Sequence, residues 1–118
     1  DRQTEQWAQK ALELATSFAG FARIGVPIRA WIEGAILIYE GNPNEATRAL
    51  KRGLTAAQEL FMPLEQALLC DALQHLSEDW DDTNNYIALR QDALFALDLE
   101  ELPLRVDYDR YLGALASR

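Results

Sequence analysis

Between Gly41 and Leu60 the chain reads GNPNEATRALKRGLTAAQEL, and Ala46, Ala49, Leu50, Gly53, Leu54, Ala57 and Leu60 recur at three- and four-residue steps. Residues at that spacing share one face of an α-helix. The opposite face carries Thr47, Arg48, Lys51, Arg52, Thr55, Gln58 and Glu59. The buried stripe is narrow and made largely of small side chains. It therefore lets a second helix approach closely, and related stripes flank it on both sides. This pattern predicts an array of packed helices.

Read in order, the chain predicts six helices. The first spans about Thr4 to Arg23, with Trp7, Ala8, Ala11, Leu12, Ala15, Phe18, Ala19 and Ala22 on one face. Gly25 and Pro27 stop it. The second, Ile28 to Glu40, is apolar nearly all round and predicts neighbours on several sides. Gly34 within it costs about 1 kcal/mol relative to Ala, so close backbone contact is expected there. The turn Gly41 to Asn44 supplies a helix-ending Gly and a capping Asn, and the third helix continues to Leu60. Phe61, Met62 and Pro63 form the next joint. The fourth helix, Leu64 to Asp79, buries Leu68, Leu69, Ala72, Leu73 and Leu76. The fifth, Thr83 to Leu99, is capped by Asp82 or Thr83, and the sixth runs from Leu104 to Ala116 using Tyr108, Tyr111, Leu112 and Leu115.

Helices one, three and five can be laid in register. Ala8, Leu12, Ala15 and Ala19 match Ala46, Leu50, Gly53 and Ala57, and these match Tyr86, Arg90, Ala93 and Leu97. The joints Gly25-Val26-Pro27, Phe61-Met62-Pro63 and Glu101-Leu102-Pro103 repeat as well. A helix-turn-helix unit recurring at this spacing is the mark of an α-solenoid, in which each unit buries its face by stacking on the next.

Gly34, Gly41, Ala46, Leu50 and Gly53 together resemble the tetratricopeptide repeat. That family repeats every 34 residues or about that, and the longer period here is similar to the extended, degenerate form found in large bacterial signalling and transcription-activating proteins. The second unit departs from the pattern, with Trp80 to Asp82 where the glycine would stand. The resemblance implies an all-α, tetratricopeptide-like array of antiparallel helix hairpins forming one domain over residues 1–118, as a piece of a longer protein. It implies that helices two, four and six line a concave groove. Trp31, Ala35 and Ile38 would face it from helix two, Asp71, His75 and Glu78 from helix four, and Asp107 and Arg110 from helix six.

Composition narrows the function. A net charge of −8 opposes contact with a phosphate backbone, so direct nucleic-acid binding is not expected. No apolar run reaches the length of a membrane span, and no targeting signal is visible. A single cysteine, Cys70, leaves no internal disulfide and no cysteine pair for zinc, which fits a reducing, cytoplasmic setting. No metal or cofactor is expected. Asp71 and His75 stand at i and i+4, a spacing that allows a shared proton or a metal. With no nucleophile or further ligand in view, they read as a surface ion pair. Cys70 reads as a small buried hydrophobe. The acidic run Glu78 to Asp82 lacks the glycine and the closing glutamate of a calcium loop and reads as a capping turn plugged by Trp80. Trp7, Trp31 and Tyr39 read as core. Arg48, Lys51 and Arg52 form a basic patch on an acidic chain, and Asp98, Glu100 and Glu101 oppose the dipole at the end of helix five.

No glycine loop for phosphate, nucleophile elbow or protected pair of carboxylates is present, so no enzymatic activity is expected. The expected function is a protein-interaction module that holds a peptide or neighbouring domain, basic in character, in the groove. The alternative is an effector-sensing segment of a larger signalling ATPase or transcription activator that binds a small molecule.

Overall fold

Proline and left-handed residues divide the chain into its helices. The computed structural model describes residues 2–21, 23–104, 106–110 and 112, the side chains of 15–21 excepted. It shows α1 (Arg2–Phe21), a short 3-10 turn (Arg23–Gly25), α2 (Val26–Tyr39), α3 (Pro43–Glu59), α4 (Pro63–Leu76) and α5 (Trp80–Ala96). The fold is an all-α helical array, with no strand among the described residues. Pro27, Pro43 and Pro63 sit in the first two positions of α2, α3 and α4, where a missing N–H costs nothing. Of the positions expected on the first and last helices, the side chains of Ala15, Phe18 and Ala19 lie outside the described residues. So do Ala22, Arg105, Tyr111 and Leu115.

Three helices close in the same way. Gly41 (φ 86°), Phe61 (φ 53°) and Asp98 (φ 56°) all take the left-handed conformation. After each, the next N–H reaches back across the last turn: Asn42 to Leu37 O at 2.8 Å, Met62 to Ala57 O at 2.9 Å, and Leu99 to Leu94 O at 2.9 Å. This paired closure satisfies carbonyls that a helix end otherwise leaves without partners.

Both sides of the joint between α4 and α5 fall earlier than the sequence pattern predicts. Helix α4 stops at Leu76, not Asp79, because Ser77 turns extended and its hydroxyl donates to Asp79 O. Helix α5 starts at Trp80 because Asp79, not Asp82 or Thr83, is its cap: the carboxylate accepts from Asp82 N–H at 3.4 Å. The sixth helix does not begin at Leu104. Residues 97–104 and 106–107 are non-helical, and helix resumes at Tyr108, where Asp107 Oδ1 accepts the Arg110 N–H at 3.2 Å. Residues 98–104 and 106–110 are called the strap below.

Packing follows the small-residue stripe. Ala46, Leu50, Ala57 and Gly53 of α3 are all buried. A β-carbon built at Gly53 would lie 2.5 Å from Ala30 Cβ of α2, and one at Gly34 would lie 2.5 Å from Leu50 Cδ2. Helices α2 and α3 therefore meet at two reciprocal close approaches. Helix α2 is enclosed as its all-round apolarity requires, packing on α1, α3 and α4. The core gathers Trp31, Ile38, Leu50, Leu69, Cys70, Leu73 and Tyr108. Full burial of each large side chain contributes about 1.5–3 kcal/mol. Trp80, expected as a plug, is 76% exposed, and Trp7, expected in the core, is 67% exposed. Trp80 opens α5 on a turn whose neighbours are all exposed, and Trp7 lies on α1, which among the described helices packs only on α2 and its adjoining 3-10 turn.

Joints of three residues between α2, α3, α4 and α5 make successive helices antiparallel. Helices α2 and α4 also touch each other, whereas α3 and α5 do not among the described residues. One layer is drawn together and the other splayed, so the array curves with α2 and α4 on its concave side.

Candidate functional site on the concave face

Of the residues expected in the groove, Trp31, Ala35 and Ile38 line one cleft of about 280 Å³. Helix periodicity makes these neighbours on α2. Trp7 and Ala8 of α1 form the opposite wall, with Val106 and Tyr108 of the strap as a third side. Ile38 is buried at 1% exposure and supplies the floor. The lining is predominantly apolar, and Glu5 and Glu40 also contribute to it. Glu40 caps the C-terminus of α2, where the helix dipole adds to its negative charge.

Trp31 has a second role. Its Nε1–H donates to the Tyr108 hydroxyl at 2.8 Å, a buried bond between residues 77 positions apart. Burial pushes the Tyr108 phenol above its ordinary range, with the Trp31 hydrogen bond acting in the opposite direction. The Tyr108 ring also lies 5.5 Å from the His75 ring. Tyr108 thus bridges α2 and α4 on the concave side.

Asp71 and His75 belong to a second, more polar cavity of about 580 Å³, shared with Gln74, Arg90, Glu100, Asp107 and Val106. Arg90 Nη1 donates to Asp71 Oδ1 at 2.8 Å and to Gln74 Oε1 at 2.6 Å. The expected Asp71–His75 ion pair is therefore secondary: His75 Nδ1 stands 4.0 Å from the Asp71 carboxylate but 2.7 Å from the Asp71 backbone oxygen. A carbonyl oxygen only accepts, so Nδ1 carries the proton and Nε2 faces Asp109 Oδ2 at 3.7 Å. Asp107 lines this cavity while capping the turn that follows it. Arg110, exposed, enters neither cavity.

Glu78 stands apart from the others. With α4 ending at Leu76 it falls on the joint and lines a third hollow, with Arg48 and Lys51 of α3, Asp79 of the same joint and Asp82 of α5. The basic patch on α3 therefore has acidic neighbours within the chain.

Cys70 is wholly buried, and that burial pushes its thiol up to about 12. Among the described residues no group of three or more His, Cys, Asp or Glu is placed to hold a metal ion, and no helix is long and apolar enough to cross a membrane.

Two contributors escaped the sequence reading. Arg90 occupies the interior repeat position held by Leu12 and Leu50, and a charge there demands a partner. That signal was present in the sequence and points to an acid on the neighbouring helix, which is Asp71. Tyr108 gave no comparable signal, because its partner Trp31 is distant in sequence.

No protein-family model, curated protein or solved structure matches the chain.

Proposed function

We propose that the chain is a tetratricopeptide-like interaction module that seats the apolar side chains of a partner peptide in the cleft between α1 and α2. The observation that carries this reading is the cleft itself, with Trp31, Ala35, Ile38 and Tyr39 along one wall and Trp7 along the other. Its size falls at the lower edge of the range of about 300–1,000 Å³ usual for ligand pockets, which suits one or two anchor side chains of a segment. Glu5 and Glu40 favour Lys or Arg beside those anchors, in keeping with the net charge of −8. Asp71 does not serve this role, since Arg90 already neutralises it.

Selection of a random peptide library on the immobilised chain tests the reading. Enriched peptides should share an aromatic or aliphatic anchor with Lys or Arg three or four positions away. Ala35→Phe, which fills the cleft, should abolish their binding. The Glu5→Lys/Glu40→Lys pair should weaken binding and flatten its salt dependence. Enriched peptides without basic residues, or indifferent to Ala35→Phe, would refute this assignment.

One observation favours a sensing role instead. The polar cavity around Arg90 and His75 lies within the size range of small-molecule sites and offers donors and acceptors from three elements. A saturable rise in melting temperature with one compound from a metabolite library, lost in Arg90→Met, would support that reading.

A further inference from the structure

The concave face already has an occupant. The strap leaves α5 through the left-handed Asp98, and it returns to lay Tyr108 across α2 and α4. Tyr108 accepts the Trp31 Nε1–H at 2.8 Å, its ring lies against His75, and Asp109 Oδ2 stands 3.7 Å from His75 Nε2. Leu102 and Val106 add partly buried apolar contact. Regular helix is missing from 97–104 and 106–107, so little backbone structure of its own resists detachment. Val106 lines both the apolar cleft and the polar cavity, and the strap is the partition between them.

We propose that the strap is an intramolecular ligand. The subsite formed by Trp31 and His75 recognises a tyrosine, Tyr108 fills it within the chain, and a partner segment bearing a tyrosine displaces the strap on binding. Displacement joins the two cavities into one groove running across α2 and α4. The inference rests on this face being a binding surface but does not depend on the basic anchors assigned to the cleft. Trp31 supplies the directional element: an indole N–H is a donor only, so it selects a side chain with an acceptor oxygen at the end of an aromatic ring. His75, with Nδ1–H committed to the Asp71 carbonyl, is held with its ring beside that of the tyrosine.

The experiment uses the full chain and, as probe, a labelled peptide of residues 101–110, ELPLRVDYDR. Tyr108→Ser empties the subsite. Because a site occupied by its own strap binds in proportion to the fraction that is open, the variant should bind the peptide about tenfold or more tighter than the wild-type chain. The same peptide with Ala in place of its tyrosine should not bind. Equal binding by variant and wild type, or no binding by a Tyr108→Ser chain of native helical content, overturns the proposal. Tyr108→Phe covers the case in which Tyr108→Ser does not fold, since it keeps the ring and removes only the acceptor oxygen. Hydrogen exchange should then accelerate in 98–110 by about two- to tenfold, as loss of one buried hydrogen bond implies, with α2, α3 and α4 unchanged. If exchange rises in α2–α4 to the same extent, Tyr108 is part of the cooperative core and the strap is no ligand. Failure of the library selection above leaves both readouts intact, so the two ideas fall separately.

Discussion

Gly53→Ala adds one methyl group at the tightest point between α2 and α3. The new β-carbon would stand 2.5 Å from Ala30 Cβ and 3.1 Å from Leu69 Cδ2. Carbon atoms prefer separations of about 3.5–4.0 Å, so the helices must part by about 1 Å or more. Leu69 can shift its terminal methyl, but Ala30 has no rotamer to change. Overpacking of this kind costs about 1–3 kcal/mol, while replacing Gly by Ala in a helix gains about 1 kcal/mol. The net expectation is a loss of up to about 2 kcal/mol. Ala30→Gly removes the obstructing methyl at a propensity cost of about 1 kcal/mol, so the double variant should return close to wild-type stability. Urea unfolding of all four proteins, followed by helical circular dichroism, gives the cycle. Gly53→Leu should be worse than Gly53→Ala by the same logic. A Gly53→Ala protein more stable than wild type, with effects that add in the double variant, would refute the facing assigned to α3.

Phe61 is 86% exposed and left-handed at φ 53°, so Phe61→Asn should raise stability by about 0.5–1 kcal/mol, read as a higher melting temperature. Asp71→Ala strands the half-buried Arg90 guanidinium and should cost about 1–3 kcal/mol, much of it recovered in Asp71→Ala/Arg90→Met. Cys70 should resist a thiol reagent at pH 8 in the folded chain and react once denatured, because its thiolate is disfavoured by burial. The same burial sets an alkaline limit. The folded thiol pKa of about 12 lies above the ordinary value of 9.0, so its contribution to stability is complete below pH 9 and is lost as pH rises toward 12, with the raised Tyr108 phenol acting in the same direction. A pH titration of the urea midpoint should therefore fall above pH 9, and Cys70→Ala should shallow that fall.

The helical layers were legible because the sequence states them in its periodicity. Ala46, Leu50, Gly53 and Ala57 announce a close-packed face, and the structure buries all four. The proline joints were equally readable at Pro43 and Pro63, since a proline starts a helix for a local reason. Pro103 misled because it is followed by no adequate cap until Asp107, so 102–104 and 106–107 are irregular and helix resumes at Tyr108. The apolar half of the concave face, Trp31, Ala35 and Ile38, was expected there from the resemblance to the tetratricopeptide repeat, and the three share a cleft. Of its polar half, Asp71, His75 and Asp107 were expected from the same resemblance, whereas Arg90 and Tyr108 were not, because their positions are set by tertiary contacts. Trp7 and Trp80 show the limit of composition as a guide: a large apolar side chain is buried only where a neighbouring element covers it, and at these two positions little does.

The shared closure after α2, α3 and α5 makes the joints interchangeable parts. Gly41, Phe61 and Asp98 have little in common as side chains, yet each hands the chain on through the same backbone hydrogen bond. The angle between successive helices is then written in the main chain, and a joint can be exchanged as a cassette. Grafting Ile38–Asn42 in place of Gln58–Met62 should keep the turn between α3 and α4, read as unchanged helical circular dichroism.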